Sequence, residues 1–211
     1  MKTNEAYNDW SSTYDHDRNL TRDLDQAITQ NILANLRCKA VLEIGCGTGK
    51  STALLAKIGE QVYAFDFSEA MIEKAKTKVQ SSNVSFVVAD LKRGWPCRER
   101  AVDLISCNLV LEHIKDLAPV FSEANRVLVT GGRFYISELH PFRQYQGTKA
   151  NFERNQQRTE IEAFVHHFSD FTGAATAAGF SLGSVNEWWH EEDRNKPPRL
   201  VSFMLQKQKQ T

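Results

Sequence analysis

The chain has little cysteine, no net charge and no long apolar run. Its four cysteines, Cys38, Cys46, Cys97 and Cys107, are scattered, and no two form C-x-x-C. That excludes a paired redox or thiolate motif, and the thiols suit a reducing compartment as small core or loop residues. Basic and acidic residues balance at 26 each. No general attraction to nucleic acid or an anionic membrane is therefore expected. No apolar stretch approaches ~20 residues, so no membrane span is expected. The N-terminus is polar and acidic. It reads as neither a signal nor a transit peptide, and the expected location is cytoplasmic. There is no internal repeat and no low-complexity linker. With 211 residues, 41% of them hydrophobic, the chain is expected to form one domain with a sizeable core.

What is present centres on Val41-Leu-Glu-Ile-Gly-Cys-Gly-Thr-Gly-Lys-Ser-Thr52. Residues 41–44 read as a buried strand. Gly45, Gly47 and Gly49 follow at alternate positions, and residues 54–58 read as a helix. Strand, glycine turn and helix together build a nucleotide pocket, because the backbone can approach the ligand and the helix start offers free N–H groups. Two familiar motifs fail here by one residue. The phosphate-binding loop needs four residues before Gly-Lys-Ser, and three lie between Gly45 and Gly49. The dinucleotide fingerprint needs glycine where Lys50 stands.

Strands and helices alternate beyond this point. Residues 62–65 form a strand closed by Asp66, and Ser68 caps a helix with the stripe Met71/Ile72, Ala75 and Val79. Residues 84–88 are a third strand, followed by Asp90. Residues 102–107 are a fourth, ending at Asn108. A helix over 116–128, with Pro119 tolerated in its first turn, leads through Gly131-Gly132 to a fifth strand over 133–138. Such alternation gives a parallel sheet with helices on both faces, and right-handed crossovers bring every strand's C-terminal end to one edge. The glycines, Asp66, Asp90 and Asn108 all fall on that edge. Asp66 suits the two ribose hydroxyls, with Phe67 and Met71 flanking a base. Alone, Asp66 could be a helix-start charge and Asp90 a plain turn residue.

The order Glu43-x-Gly45-x-Gly47-x-Gly49, then Asp66-x-Ser68-x-x-Met71, Ala89-Asp90-Leu91 and Leu111-Glu-His113 resembles the class I S-adenosylmethionine (SAM) methyltransferases. The likeness is to their small-molecule branch, of the type 11/12 kind. It covers residues 41–139 well and 1–40 loosely. It implies an α/β, Rossmann-like, doubly wound seven-stranded sheet, mostly parallel with one antiparallel closing strand. It implies SAM as cofactor, held by Tyr14, Glu43, Gly45, Cys46, Gly47, Gly49, Asp66, Phe67, Met71, Asp90, Leu91, Asn108 and His113. The chain then divides into an N-terminal lid and helix (1–40), a cofactor-binding core (41–139), a substrate or lid insertion (140–168) and a closing helix and strands (169–211). One departure is the short loop before Val102.

Outside the core the residues leave alternatives open. Trp10-x-x-x-Tyr14 reads as a lid, with Tyr14 near the sulfonium, or as an aromatic anchor. A helix over 21–36 shows Leu24, Ile28, Ile32 and Leu36, with Thr21 as its cap. A short helix over 169–178 and strands over 180–189 and 200–206 close the chain, the strands pairing antiparallel. His140, His166 and His167 are candidate general bases, if the acceptor begins protonated; equally, they are turn or cap residues. Arg143 or Arg154 could bind an anionic substrate group or be ordinary surface charges. Trp188 and Trp189 read as strand packing or a pocket wall. His190-Glu-Glu-Asp193 reads as solvated surface, and no metal is expected. The reading is methyl transfer to a small molecule. Its alternatives are a macromolecule methyltransferase, aminopropyl transfer or a non-catalytic SAM-binding regulator. The oligomeric state is not readable.

Overall fold

The computed structural model describes residues 3–149, 151–154 and 157–209. Two helices come first, α1 (Thr3–Trp10) and α2 (Leu20–Leu33). The sheet then builds through β1 (Cys38–Ile44), α3 (Thr52–Ile58), β2 (Gly59–Asp66), α4 (Glu69–Lys78), β3 (Val84–Val88), β4 (Val102–Asn108), α5 (Ala118–Val127) and β5 (Leu128–Leu139). A short helix α6 (Pro141–Tyr145) and a hairpin of β6 (Asn151–Arg154) and β7 (Gln157–Glu160) follow. Helix α7 (Phe168–Ala177) and strands β8 (Phe180–Trp188) and β9 (Leu200–Lys207) complete the chain.

The main sheet has seven strands in the order β3-β2-β1-β4-β5-β9-β8. β1 to β5 are mutually parallel. β9 runs antiparallel between β5 and β8. This is the Rossmann-like doubly wound sheet with one reversed strand. The order turns at β1 and β4, and a crevice opens at such a switch point. Register keeps the strand tips level: Ile44 pairs with both Phe65 and Cys107, and Asp66 with Val88.

Local chemistry explains the elements near that edge. Ser68 caps α4 by accepting the Met71 amide at 3.2 Å. Glu69 sits in its first turn and Lys76 and Lys78 in its last, matching the helix dipole. Met71, Ile72 and Ala75 bury its inner face.

Three expectations are corrected, and one helix is added. Asn19, not Thr21, caps α2, accepting the Thr21 and Arg22 amides at 3.1 Å. The buried face of α2 is Arg22, Asp25, Ile28, Thr29 and Leu33 rather than the period-four leucine and isoleucine stripe. The helix lies near the strand tips, so part of its inner face is polar. Residues 3–10 form a helix because Ala6 and Trp10, one turn apart, pack with Ile161. Gly131-Gly132 does not turn the chain: β5 runs through it, with an irregularity between Val102 and Leu104 in the pairing of β4 with β5.

Candidate active site

The level strand tips carry three adjoining cavities. The first, of about 120 Å³, is lined by Gly45, Gly47, Asp66, Phe67, Met71, Asp90, Leu91, Asn108 and His113, with Tyr7 and Tyr14 from the N-terminal segment. The second, of about 60 Å³, lies beside it and is polar, lined by Arg22, Asp25, Glu43, Cys46, Thr48 and Lys50 among others. The third, of about 500 Å³, lies against α1, between Tyr7 and Trp10, the inner residues Leu109 and Glu112, and the segment containing Thr148, Lys149 and Asn151. Tyr14 and Leu109 line all three. Leu109 adopts φ +56, unusual for a branched side chain, and its amide is held by the Ser137 carbonyl at 2.8 Å.

The glycine turn is built for close approach. Gly45 has φ +66, and a Cβ there would sit 2.3 Å from Val110 Cγ2. Gly49 serves packing: a Cβ on it would meet Val79 and Ala75 of α4 at 3.1 and 3.2 Å. It lines none of these three cavities, which separates it from the expected cofactor set.

Asp66 organises the turn. Its Oδ2 accepts the Gly47 amide at 2.9 Å and its Oδ1 the Ser68 amide at 2.8 Å. Burial pushes its carboxyl up to about 6 despite these donors. Asp90 accepts the Lys92 amide at 2.9 Å and lines the first cavity. Asn108 donates to Asp25 Oδ1 at 3.0 Å and to Thr29 Oγ1 at 2.8 Å. Glu43 accepts from Thr52 Oγ1, and burial pushes its carboxyl up to about 8. Cys46 packs on Ala64 and Ile72, and burial drives its thiol well above the ordinary range.

The N-terminal segment closes over the edge. Tyr7 donates its hydroxyl proton to His113 Nε2 at 2.8 Å, since His113 Nδ1 is committed to the Glu162 carbonyl at 2.7 Å. Burial holds the imidazole below its usual range, hence neutral. Arg22 bonds the Tyr14 and Asp17 carbonyls, and its guanidinium lies 4.0 Å from the Tyr14 ring centroid. One face of Tyr14 is therefore taken by a cation of the chain itself, a change from the simple lid picture.

The three candidate bases lie elsewhere, and none lines these cavities. His140 is fully buried; its Nδ1 accepts the Phe142 amide and caps α6, so its Nε2–H donates to Glu187 at 2.8 Å. His166 Nε2 donates to the Leu111 and Ile114 carbonyls. His167 caps α7 and meets the Tyr145 hydroxyl. Their positions next to Pro141 and before a helix carry the bland reading. His140→Ala is expected to cost roughly 1–3 kcal/mol of stability and to leave SAM affinity and turnover of the folded protein unchanged. Thermal melts and calorimetry check it; a lost rate with unchanged melting would return His140 to the chemistry.

Arg143 is paired with Asp193 at 2.8 Å, and the Arg154 side chain lies outside the described residues. Asp193 is not solvated: it is 1% exposed and also holds Arg199. Trp188 bonds Ser202, Trp189 is half exposed, and neither lines these cavities. Sequence reasoning missed Tyr7, Asp25 and Arg22. The signal was a polar i, i+3 pair, Arg22 and Asp25, inside an otherwise amphipathic helix.

Known proteins share this segment and this fold. The methyltransferase domain model of the type 11 kind matches residues 42–136, the segment from β1 to β5 that carries most of this site. The fold is that of solved SAM-dependent methyltransferases. The chain is 31% identical over 158 residues to the biotin biosynthesis bifunctional protein BioHC of Cellvibrio japonicus, a match covering 75% of this chain and 30% of that one. It is 29% identical over 154 residues to a ubiquinone biosynthesis O-methyltransferase of Coxiella burnetii, covering 70% of this chain and 65% of that one. The chain thus spans less than two thirds of each. Among solved structures it is similar to the DhpI–SAH complex, with a TM-score of 0.75 and 21% identity over 99% of this chain and 96% of that one. Among the described residues, no helix is long and apolar enough to cross a membrane, and no cluster of three His, Cys, Asp or Glu could hold a metal.

Proposed function

We propose that the chain is a SAM-dependent methyltransferase acting on a small-molecule acceptor held in the third cavity. The observation that carries this is the meeting of all three cavities at Tyr14 and Leu109. In this reading the first cavity takes the adenosine: Asp66 accepts from the ribose hydroxyls, Phe67, Met71 and Leu91 flank the base, and Asp90 meets its amino group. The second cavity takes the amino-acid end, with Arg22 and Lys50 as cations for its carboxylate. The Gly45 cradle fits such a ligand, because any side chain there would drive into Val110. A volume of about 500 Å³ suits a small acceptor.

Bound SAM supplies an already activated methyl group for in-line displacement. The chain supplies alignment, which can contribute up to ~7–11 kcal/mol. Tyr7, tied to His113, and Tyr14, tied to Arg22, set the boundary between cofactor and acceptor. Gly45→Ala is expected to weaken SAM binding at least tenfold, since strain at positive φ costs ~1–3 kcal/mol before the contact with Val110 is counted. Calorimetry reads it, and wild-type affinity in a folded variant would sink the cradle.

The test of function is transfer from methyl-labelled SAM to cell extract split into small-molecule, protein and RNA fractions. Label in the small-molecule fraction supports the reading. Label in protein or RNA overturns the acceptor class, and no transfer by a SAM-binding protein favours a regulator.

A further inference from the structure

The inner wall of the third cavity carries an acid. Glu112 lines it, is 6% exposed, and its Oε2 is buried with no hydrogen-bond partner among the described residues. Its Oε1 lies 3.9 Å from His113 Nε2, but that nitrogen accepts the Tyr7 proton and offers no hydrogen. A buried carboxyl oxygen without a donor is costly, and a ligand that brings one would be favoured.

The surroundings restrict what that donor can be. Glu138 from β5 stands behind Glu112. Its Oε1 accepts the Val110 and Leu111 amides at 3.0 and 2.8 Å, and its Oε2 is likewise buried and unpartnered. An acceptor carboxylate brings no hydrogen for these unpartnered oxygens and would be repelled by the ionised form of Glu112. Arg22 also lines this cavity, but in this reading its charge is already engaged by the carboxylate of the bound cofactor. Arg18, Lys149 and Arg199 line it too, each paired with an acid, and Asp17 adds a carboxylate that accepts from Trp10 and Thr13. An ammonium group has no lone pair with which to attack, and a neutral amine attacks without giving up a proton, so neither calls for a proton acceptor. An uncharged hydroxyl meets neither objection.

We propose that Glu112 receives the proton of an acceptor hydroxyl, making the methyltransferase an O-methyltransferase of hydroxyl-bearing small molecules. This rests on the third cavity being the acceptor site. In the step, the hydroxyl oxygen forms the new bond to the methyl carbon as the carbon–sulfur bond breaks onto sulfur. The hydroxyl proton passes to Glu112 Oε2. Sulfonium, alcohol and carboxylate become thioether, methyl ether and carboxylic acid, so charge and atoms balance. Burial pushes the Glu112 carboxyl up to about 7, close to where a proton acceptor works well.

Three measurements test it. Glu112→Gln is expected to lower label transfer into the small-molecule fraction by about 10²–10⁴-fold with SAM affinity unchanged, and Glu112→Asp to restore part of it. Mild base and the carbon-13 shift of the transferred methyl separate product classes: a methyl ester releases labelled methanol in base, and the methyl of an ether resonates well downfield of one on nitrogen, sulfur or carbon. Base-stable O-methyl product with a slow Gln variant supports the proposal. Base-labile product, a methyl on nitrogen, sulfur or carbon, or wild-type transfer by Glu112→Gln, overturns it and leaves the acceptor cavity standing. If the wild type transfers to no fraction, the reading under Proposed function fails separately. The proton acceptor is then decided by phenol and benzoate binding to the S-adenosylhomocysteine-loaded wild type. Phenol binding more tightly supports it; benzoate binding as well or better, or neither binding, overturns it. That arm also serves if both variants fail to fold.

Discussion

Asp66→Ala is expected to weaken SAM binding by about 1–3 kcal/mol, roughly 5–150-fold. The loss has two sources. One is the acceptor for the ribose hydroxyls. The other is the turn itself, because the same carboxylate holds the Gly47 amide at 2.9 Å and the Ser68 amide at 2.8 Å. Asp66→Asn separates them, since an amide oxygen can keep one backbone donor but its nitrogen cannot accept the other. The alanine variant should lose more affinity than the asparagine variant, and both should retain the fold because the core beneath, Leu42, Ile44 and Phe65, is untouched. Calorimetric titration with SAM decides it. Wild-type affinity in a folded alanine variant would remove Asp66 from the site.

Raising the pH from about 6 to 8.5 is expected to lower the melting temperature of the ligand-free protein by several degrees. Five buried carboxyls sit above the ordinary range, driven there first by burial. Asp25 and Asp66 are raised to about 6, Glu112 to about 7, and Glu43 and Glu138 to about 8. Unfolded, all titrate near 4. The folded state therefore holds more protons between pH ~4 and 8. Stability from these groups is fully present below 4 and is lost as pH rises through 6 to 8, at up to ~1.4 kcal/mol per pH unit for each group. Asp193 has the opposite sign: burial raises it, but Arg199 and Arg143 outweigh that and hold it down to about 2. Its contribution is complete above ~4 and is lost as pH falls to 2. The buried neutral His113 and His140 likewise favour the fold more as pH rises toward 6.5. Melting should thus peak in mildly acidic buffer. A flat profile from pH 6 to 8.5 would contradict the buried carboxyl set.

The cluster at the strand tips was legible in the sequence because its residues sit at fixed places on a repeating unit. Each strand ends where a ligand begins, so Gly45, Asp66, Asp90 and Asn108 could be located by counting strands. Gly49 was misread because packing against Ala75 and Val79 demands glycine just as a ligand would. The histidines were misread for a related reason: a neutral imidazole that accepts from a backbone amide, as His140 does from Phe142, has the same composition as a catalytic base. Tyr7, Arg22 and Asp25 were missed because their neighbours come from distant strands. Asp25 gains meaning only once β4 delivers Asn108 to it, and no local period records such a meeting.

β9, reversed between β5 and β8, has a consequence for change over time. Because β9 starts where β8 ends, residues 189–199 return the chain to the ligand edge, and Arg199 reaches the third cavity from there. The hairpin insertion brings Lys149 and Asn151 to the same cavity. The glycine turn and Asp66 belong to β1, β2 and their loops, on the other side of the switch point. In the proposed reading, substitutions in these two segments retune acceptor choice while the cofactor half keeps its geometry. Two segments far apart in the chain form one graftable module, and exchanging them together between related enzymes should carry substrate preference with them.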